Sequence, residues 1–361
     1  MRDPLDEYTI EQFDLTPEEE EKCLEIVKTT FLHHKQTEGG TILFDEQTFK
    51  IMFGSPYQSK EYFVRAIHKE SGQLVGFMGG IPRMVSVQGN IYKFGIPAWL
   101  AVHYEHQKKG IARALGMKMV EIGYSNGFHG GFVEFDMDDH GIDAFKSIFR
   151  NYDFETNTLL TMRKFIVRAF DVNKLSTVIK LKKIEKVALA FLQKVSKTKN
   201  PRVRKLHADD YERVYELLQD HVQRNEMAVL RDKDDFLWYL SQPGVNCVVH
   251  ENAEGIVDGY ILAWKFLLAG FGNAIPFGWL DLVHTHRLSI KEATDLCKYL
   301  CETSREMGWY GLQTPYIPYF DSKPFKRAKY IFYPKILSIS TYNLKQITIP
   351  KKVKSFYFDW R

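Results

Sequence analysis

The stretch that decides the fold runs from residue 95 to residue 131. It begins with the apolar run Gly95-Ile-Pro-Ala-Trp-Leu-Ala-Val102 and continues through the polar loop His103-Tyr-Glu-His-Gln-Lys-Lys-Gly110. A short apolar run bounded by a turn predicts a buried strand. The apolar residues after the loop recur at spacings of four, four and three, which predicts an amphipathic helix. They are Ile111, Leu115, Met119 and Ile122, and Asn126-Gly127 is typical of the helix end. Residues 131–137 predict the next strand.

The loop between the predicted strand and helix has the properties of a phosphate site. The N–H groups of a first helical turn lack intrahelical acceptors, and the helix dipole adds partial positive charge there. Gly110 lets a ligand approach the backbone closely, and Lys108, Lys109 and Arg113 supply cations. An ordinary strand-to-helix turn, in which the glycine only shortens the connection, is the alternative interpretation.

The pattern Val102-x-x-x-x-Gln107-x-x-Gly110-x-Ala112 resembles the acyl-CoA pyrophosphate loop of the GNAT superfamily of N-acyltransferases. The resemblance implies that the backbone of residues 100–102 pairs with the pantetheine arm and that residues 107–112 hold the pyrophosphate. The implied cofactor-binding residues are Leu100, Ala101, Val102, Gln107, Lys108, Lys109, Gly110, Ile111, Ala112 and Arg113. The implied reaction is direct attack of an amine, on a small molecule or a peptide, on the thioester of acyl-CoA. The expected donor is acetyl-CoA or another acyl-CoA, and no metal ion is expected.

The candidate general bases follow the second predicted strand. Asp136 and Glu134 share one face by period-two alternation, and the ordinary pKa of His140 suits proton removal near neutrality. A solvated acidic loop that caps the next helix is the alternative for residues 136–140. In the resemblance, residues 142–154 form the last helix, and the family's usual tyrosine acid falls on Phe149, which cannot donate a proton. This departure leaves the general acid unassigned, and a water bound at the amine could take its place.

The chain repeats this plan in its second half. Trp99-Leu-Ala-Val and Trp279-Leu-Asp-Leu-Val each begin a strand followed by a helix, and a predicted hairpin precedes each, at residues 61–80 and 245–266. The second copy has no glycine between Val283 and Ile290. We therefore predict an α/β (α+β) protein with two tandem GNAT-like domains, an arrangement known from the N-myristoyltransferases. Each domain should have a mixed, mainly antiparallel sheet with a central splay, flanked by helices. The predicted boundaries are 1–170 for the acyl-CoA-binding domain, 171–200 for a basic helical linker and 201–361 for a degenerate domain.

Charge is concentrated in the predicted linker. The net charge of the whole chain is +4, yet residues 171–205 hold eleven Lys and Arg against two acidic residues. Residues 174–199 predict a helix, and two interpretations stay open. The one we favour is a helix packed by its apolar residues with the lysines in solvent; the other is a surface that docks on anionic lipid or an acidic partner. Residues 353–361 alternate in polarity and predict a final edge strand.

The remaining composition limits the class of protein. A hydrophobic content of 45% is sufficient for packed hydrophobic cores. Four scattered cysteines indicate reduced, buried thiols in a cytoplasmic protein. The uncharged run at residues 266–280 is too short and too often broken by Gly and Pro to span a membrane. No basic–aromatic groove typical of nucleic-acid binding is present. His284 and His286 are expected in a core or on a surface rather than on a metal.

The predicted function is that of an acyl-CoA-dependent N-acyltransferase. The alternative is a CoA-binding sensor or scaffold that kept the fold and lost catalysis, an interpretation supported by the missing tyrosine at Phe149. A third interpretation, transfer from aminoacyl-tRNA, is disfavoured by the intact pyrophosphate loop.

Overall fold

The computed structural model describes residues 4–33, 40–136, 148, 152, 154, 156–345, 347–358 and 360–361. Its strands are β1 Tyr8–Phe13, β2 Thr41–Leu43, β3 Phe63–His68, β4 Leu74–Val87, β5 Asn90–Val102, β6 Gly130–Asp136, β7 Thr156–Ala169, β8 Val203–Lys205, β9 Met227–Leu230, β10 Val245–Glu251, β11 Val257–Gly270, β12 Asn273–His284, β13 Gly311–Pro315, β14 Ile331–Asn343 and β15 Phe356–Tyr357. Its helices are α1 Pro17–His33, α2 Glu46–Phe53, α3 Ile111–Ser125, α4 Val172–Leu175, α5 Lys183–Leu192, α6 Tyr211–Arg224, α7 Lys233–Leu240, α8 Ile290–Glu306 and α9 Lys323–Arg327. Among the described helices, none combines the length and the hydrophobicity needed to cross a bilayer.

The described chain forms two compact units, each assembled from three segments. The first unit consists of Met1–His34, Gln58–Thr161 and Ile336–Val353, and the second of Lys35–Tyr57, Met162–Lys335 and Lys354–Arg361. The sequence predicts contiguous domains instead, with boundaries at residues 170 and 200. The contiguous boundaries do not follow the observed units because strand pairing unites distant segments. Residues 337–343 of β14 pair with β6, whereas β2 pairs with β11.

The first unit is a mainly antiparallel sheet in the order β1-β3-β4-β5-β6-β14-β7. Helix α3 packs on β1, β3, β4 and β5 through the apolar stripe expected from its sequence. All four stripe residues, Ile111, Leu115, Met119 and Ile122, are buried. The helix ends as predicted, since Asn126 is its C-cap and Gly127 takes a left-handed φ of +69°.

A gap opens between the central strands of the first unit. Strands β5 and β6 run parallel and pair only at Phe94–Gly130 and Gly95–Gly131 within the described residues. Beyond these pairs, β5 continues to Val102 and β6 to Asp136. The backbone of two strands is therefore left unpaired along the gap, which is the predicted central splay.

The second unit repeats the arrangement in the order β7-β13-β12-β11-β10-β8. Its parallel central pair, β12 and β13, is likewise joined at only two positions, Gly278–Leu312 and Trp279–Gln313. Helix α8 follows β12 as α3 follows β5, and packs on β10, β11 and β13. The prediction of two copies of one mixed sheet with a splay is confirmed.

The predicted linker helix is wrong in extent and in packing. Residues 172–175 and 183–192 are helical, whereas residues 176–182 are not. The β-branched run Thr177-Val178-Ile179 is one local reason for the break. Leu175, Val178 and Leu189 are buried, but other apolar residues of the segment remain in solvent, contrary to the favoured interpretation.

The predicted final strand over residues 353–361 is also wrong in extent. Only Phe356 and Tyr357 are in a strand, parallel to Met227 and Ala228 of β9. After Tyr357, hydrogen bonds that involve side chains, rather than strand pairing, fix the end of the chain. The Arg361 guanidinium, 1% exposed, donates two hydrogen bonds of 2.8 Å to the Asp235 carboxylate.

Candidate functional site

The N-terminus of α3 is an open set of backbone donors. Gly110 is the N-cap residue and has no side chain to cap the helix, with φ at +86°. Ala114 makes the first intrahelical hydrogen bond, to the Gly110 carbonyl oxygen at 3.0 Å, so the N–H groups of residues 111–113 precede the ladder. Lys108 is also left-handed, with φ at +63°. Turns of this kind concentrate N–H groups into an anion-binding concavity.

The loop is braced against the end of β5. The Gln107 side-chain amide donates to the Val102 carbonyl oxygen at 3.1 Å, and the buried Thr30 hydroxyl donates to the same oxygen at 3.2 Å. This carbonyl is therefore not an open acceptor for a ligand. Gln107 acts through its side chain as a brace, a role that the sequence pattern does not reveal.

The two lysines of the loop have different surroundings. Lys108 is exposed, as is Arg113. The Lys109 ammonium instead donates to the Tyr8 hydroxyl at 2.9 Å and lies 3.5 Å from the Glu7 carboxylate. Its hydrogen bond to Tyr8 raises the pKa of Lys109. Lys109 thus ties the N-terminal segment to the loop, whereas Lys108 and Arg113 are exposed to solvent.

A histidine completes the contact with the N-terminal segment. The Tyr8 hydroxyl hydrogen-bonds His106 Nδ1 at 2.8 Å. Burial and the nearby Lys109 charge lower the pKa of His106. The sequence offers no local signal for this cluster, because Tyr8 and His106 are far apart along the chain.

Strand β5 carries a bulge at Trp99 and Leu100, where the residues predicted to meet the pantetheine arm begin. Phe77 pairs with Ala101 and Gly79 with Ala98, so Trp99 and Leu100 together oppose one residue of β4. Trp99 takes a left-handed φ of +58°. The His103 amide bonds the Val75 carbonyl at 2.8 Å, and alternation then directs the backbone of Leu100 and Val102 away from β4, toward the gap.

A small apolar cleft of about 20 Å³, room for about one water, lies at the closed end of the gap in the first unit. It is lined by Tyr62, Gly80, Gly95, Ile96, Pro97, Met119, Ile122, Gly123, Phe128, Gly130, Tyr342 and Leu344. A Cβ on Gly80 would lie 2.9 Å from the Met119 sulfur, and one on Gly130 would lie 2.4 Å from the Tyr342 carbonyl oxygen. Sequence reasoning missed this cleft, although glycines inside strands are a signal for such close approach.

The candidate bases are only partly described. Glu134 lies in β6 opposite Ile339 with an exposed side chain, and Asp136 pairs through its backbone with Leu337 at the end of β6. Both lie on β6 beyond its two pairs with β5, and their role as bases stays a prediction. His140 and Phe149 lie outside the described residues, as does most of the predicted helix at residues 142–154.

Comparisons with known proteins match this geometry. A family profile for the GNAT acetyltransferase domain matches residues 14–128, which contain β5, the loop and α3. N-myristoyltransferase of Saccharomyces cerevisiae, solved with bound myristoyl-CoA and inhibitors, superposes with a TM-score of 0.74 at 16% identity, over 95% of this chain and 84% of that one. The chain has a tandem GNAT fold. A protein of unknown function from Enterococcus faecalis, described as a probable N-acyltransferase, has a TM-score of 0.52 at 11% identity, over 92% of this chain and 72% of that one. No curated protein sequence is significantly similar.

The two GNAT units differ at the N-terminus of the helix that follows their central strand. In the second unit, α8 begins with a capping box: Ser289 Oγ accepts from the Glu292 N–H at 3.3 Å, and the Glu292 carboxylate accepts from the Ser289 N–H at 2.9 Å. Hydrogen bonds from Ser289 also lower the pKa of Glu292. The second helix N-terminus is therefore occupied by the chain's own carboxylate, whereas Gly110 leaves the first one open.

The gap of the second GNAT unit is filled by the chain itself. The Tyr319 hydroxyl accepts from the Val283 N–H at 3.2 Å and donates to the Asp281 carbonyl oxygen at 3.3 Å. The Trp360 N–H donates to the Asp281 carboxylate at 2.6 Å. Asp281 forms the extra residue of a bulge in β12, as Trp99 and Leu100 form one in β5. The prediction of a degenerate second copy thus gains a physical basis beyond the missing glycine.

Two groups of side chains within the described residues have metal-ligand composition. They are His103, Glu105 and His106 beside the loop, and Asp220, His284 and His286 in the second unit. In the second group, the Arg287 guanidinium lies 3.1 Å from the Asp220 carboxylate, so an added cation would face a positive charge. Burial lowers the pKa of His284 to about 3, which agrees with the prediction of a core histidine.

Proposed function

We propose that this protein is an acyl-CoA-dependent N-acyltransferase that transfers its acyl group directly to an acceptor amine. One observation carries the proposal. The N-terminus of α3, which no side chain caps at Gly110, follows the end of β5, and the edge of β5 is open along its gap with β6. A diphosphate satisfies such N–H groups and is favoured by the helix dipole. Among the described helices that follow a central strand, α8 lacks this property because Glu292 occupies its N-terminus.

The predicted residues then divide into three roles. The N–H groups of residues 108–113 bind the pyrophosphate, and the side chains of Lys108 and Arg113 neutralise it. By the alternation along β5, the backbone of Leu100 and the Val102 N–H face the gap, where the pantetheine arm would lie. Ala101 instead directs its backbone toward β4. Gln107 and Lys109 hold the loop in shape through Val102 and Tyr8.

Acylation of an amine requires a proton acceptor, which we place on the β6 side of the gap, across from β5. The acceptor enters as an ammonium and loses one proton to Asp136, with Glu134 and His140 as the further candidates. The neutral amine nitrogen then attacks the thioester carbonyl carbon, the C–N bond forms, and the C–S bond breaks. The sulfur leaves as a thiolate and takes up the second proton that the nitrogen gives up, so that amide and free CoA are the products.

The length of the acyl group is set by what the gap admits. Acetyl-CoA is the expected donor, and the apolar cleft lined by Gly80, Gly95 and Gly130 has room for about one water, which does not by itself admit a longer chain. The yeast N-myristoyltransferase with a similar fold was solved with myristoyl-CoA. The donor panel therefore includes acetyl-CoA, an intermediate chain and myristoyl-CoA.

The test measures turnover and binding separately. Mass spectrometry of the purified full-length protein identifies any retained CoA ester, and release of free CoA thiol in the presence of amine acceptors measures transfer. We expect release to depend on both acyl-CoA and an amine. Tight CoA binding with no transfer to any acceptor of a broad amine and peptide panel would favour the sensor or scaffold instead.

We expect one CoA molecule per chain. The second unit presents Glu292 at the corresponding helix N-terminus and fills its gap with Tyr319 and Trp360. Isothermal titration calorimetry should give a stoichiometry of one, and substitution of Gly110 should remove that single site. Two equivalent sites would contradict our interpretation of the second unit.

A further inference from the structure

The most exposed apolar side chains described in this protein lie on one short helix. Ile184 and Phe191 of α5 are each 77% exposed and Val187 is 58% exposed. Their spacings of three and four place them on one face of the helix. A surface helix ordinarily buries such a stripe against its own core. In α5 the apolar stripe is instead exposed to solvent.

The opposite face of the same helix holds it to the second unit. Leu189, which is 7% exposed, lies two residues from both Val187 and Phe191 and thus about 200° around the helix from each. The buried guanidinium of Arg168 donates to the carbonyl oxygens of Leu192 and Lys194, the latter at 3.0 Å. The helix is therefore docked in a fixed orientation, and the exposed stripe is a consequence of that orientation.

Positive charge surrounds the stripe. Lys182, Lys183 and Lys186 are exposed on the helix and at its start, and Lys180, Lys194, Lys197 and Lys199 are exposed on the flanking segments. The acid within the helix, Glu185, accepts from the Lys182 backbone N–H at 2.7 Å and so serves as part of the helix cap. Apolar and cationic groups are thus presented together.

We propose that α5 docks this protein on an anionic lipid surface, with Ile184, Val187 and Phe191 in the acyl boundary and the lysines at the headgroups. The combination is that of interfacial helices, which bind by apolar burial together with attraction to anionic lipid. Charge argues against the other occupants. A second copy of the chain would bring two strongly basic segments together, and a nucleic acid would leave the apolar stripe without a partner. The ten residues of α5 span about 15 Å, enough to lie on a surface.

The test uses the full-length protein and vesicles. We expect co-sedimentation with vesicles of phosphatidylcholine and phosphatidylglycerol at least about tenfold stronger than with phosphatidylcholine alone, and weakened by added salt. Ile184→Ser combined with Phe191→Ser should abolish it. Ile256→Ser combined with Phe271→Ser is the matched control, because these apolar residues are also exposed, at 45% and 47%, but lie on turns elsewhere.

A second pair of variants tests the charge. Lys183→Gln combined with Lys186→Gln should reduce vesicle binding several-fold, whereas the exposed pair Lys351→Gln and Lys352→Gln should not. CoA binding by calorimetry should be unchanged in every variant, which shows that the chain is folded and separates this proposal from the proposed function. Equal binding to neutral and anionic vesicles would overturn the proposal. So would a dimer in sedimentation equilibrium that dissociates when Ile184 and Phe191 are replaced, or polyanion binding that persists in that variant without vesicle binding.

Discussion

A Gly110→Glu variant should lose at least about a hundredfold in affinity for CoA. The new carboxylate would stand at the N-cap of α3, among the N–H groups expected to receive the pyrophosphate. Two like charges 4 Å apart repel by about 4 kcal/mol at an effective dielectric constant of 20. The carboxylate would also compete for the same N–H donors, as a capping residue does. Isothermal titration calorimetry with CoA measures the loss.

The first unit supplies a matched control for this variant. Gly89, at the β4–β5 turn, has the same φ of +86°, and a Cβ there would meet nothing within 4 Å. Gly110→Glu and Gly89→Glu therefore carry the same left-handed backbone cost of about 1–2 kcal/mol. The atom nearest to a Cβ added at Gly110 belongs to Leu5, at an ordinary 3.5 Å. We expect similar melting temperatures but unequal CoA affinity. Unchanged affinity in folded Gly110→Glu would remove the basis of the proposed site.

An Asp136→Asn variant should lower kcat by about 10²–10⁴-fold while leaving CoA affinity within about twofold of the parent. The substitution keeps the shape of the side chain but removes its capacity to accept a proton from the amine. Asp136 lies at the end of β6 and is not part of the loop at residues 107–113 that is proposed to bind the pyrophosphate. Steady-state kinetics and calorimetry on the same preparation separate the two effects.

Two further substitutions decide between the candidate bases. Glu134→Gln and His140→Gln should each have a smaller effect on kcat than Asp136→Asn if Asp136 accepts the proton. A larger loss in His140→Gln, together with a shift of the acidic limb of the pH–rate profile, would reassign the base to His140. If all three variants retain full turnover, none of these side chains is the base.

The features that the sequence predicts well are set by local pattern. The stripe at Ile111, Leu115 and Met119, the cap at Asn126-Gly127 and the glycine at position 110 each follow from residues adjacent in the chain. The two-fold repeat is also predictable, because the order of strands and helices recurs around Trp99 and Trp279. Such signals depend on periodicity and on backbone conformation, which a single sequence records directly.

The features that escape prediction depend on residues far apart in sequence. The tie between Lys109 and Tyr8 joins residues 101 positions apart, and the Trp360 N–H meets Asp281 across 79 positions. The exposed stripe of α5 escapes prediction for a related reason. Its periodicity is that of a packed helix, whereas the long-range contacts of Arg168 and the burial of Leu189 show which face turns outward. The periodicity of a helix alone does not show which residues pack against its apolar face.

The placement of tryptophan gives the two units different optical properties. Of the six tryptophans, Trp99 alone belongs to the first unit, at the bulge of β5 beside the proposed pantetheine position. In the second unit, Trp264 stacks on Trp279 at 6.1 Å and Trp360 meets Trp279 edge-on at 5.5 Å. Near-ultraviolet circular dichroism should therefore report mainly on the packing of the second unit. Once its five tryptophans are replaced by phenylalanine, the emission of Trp99 alone would report on the occupancy of the gap in the first.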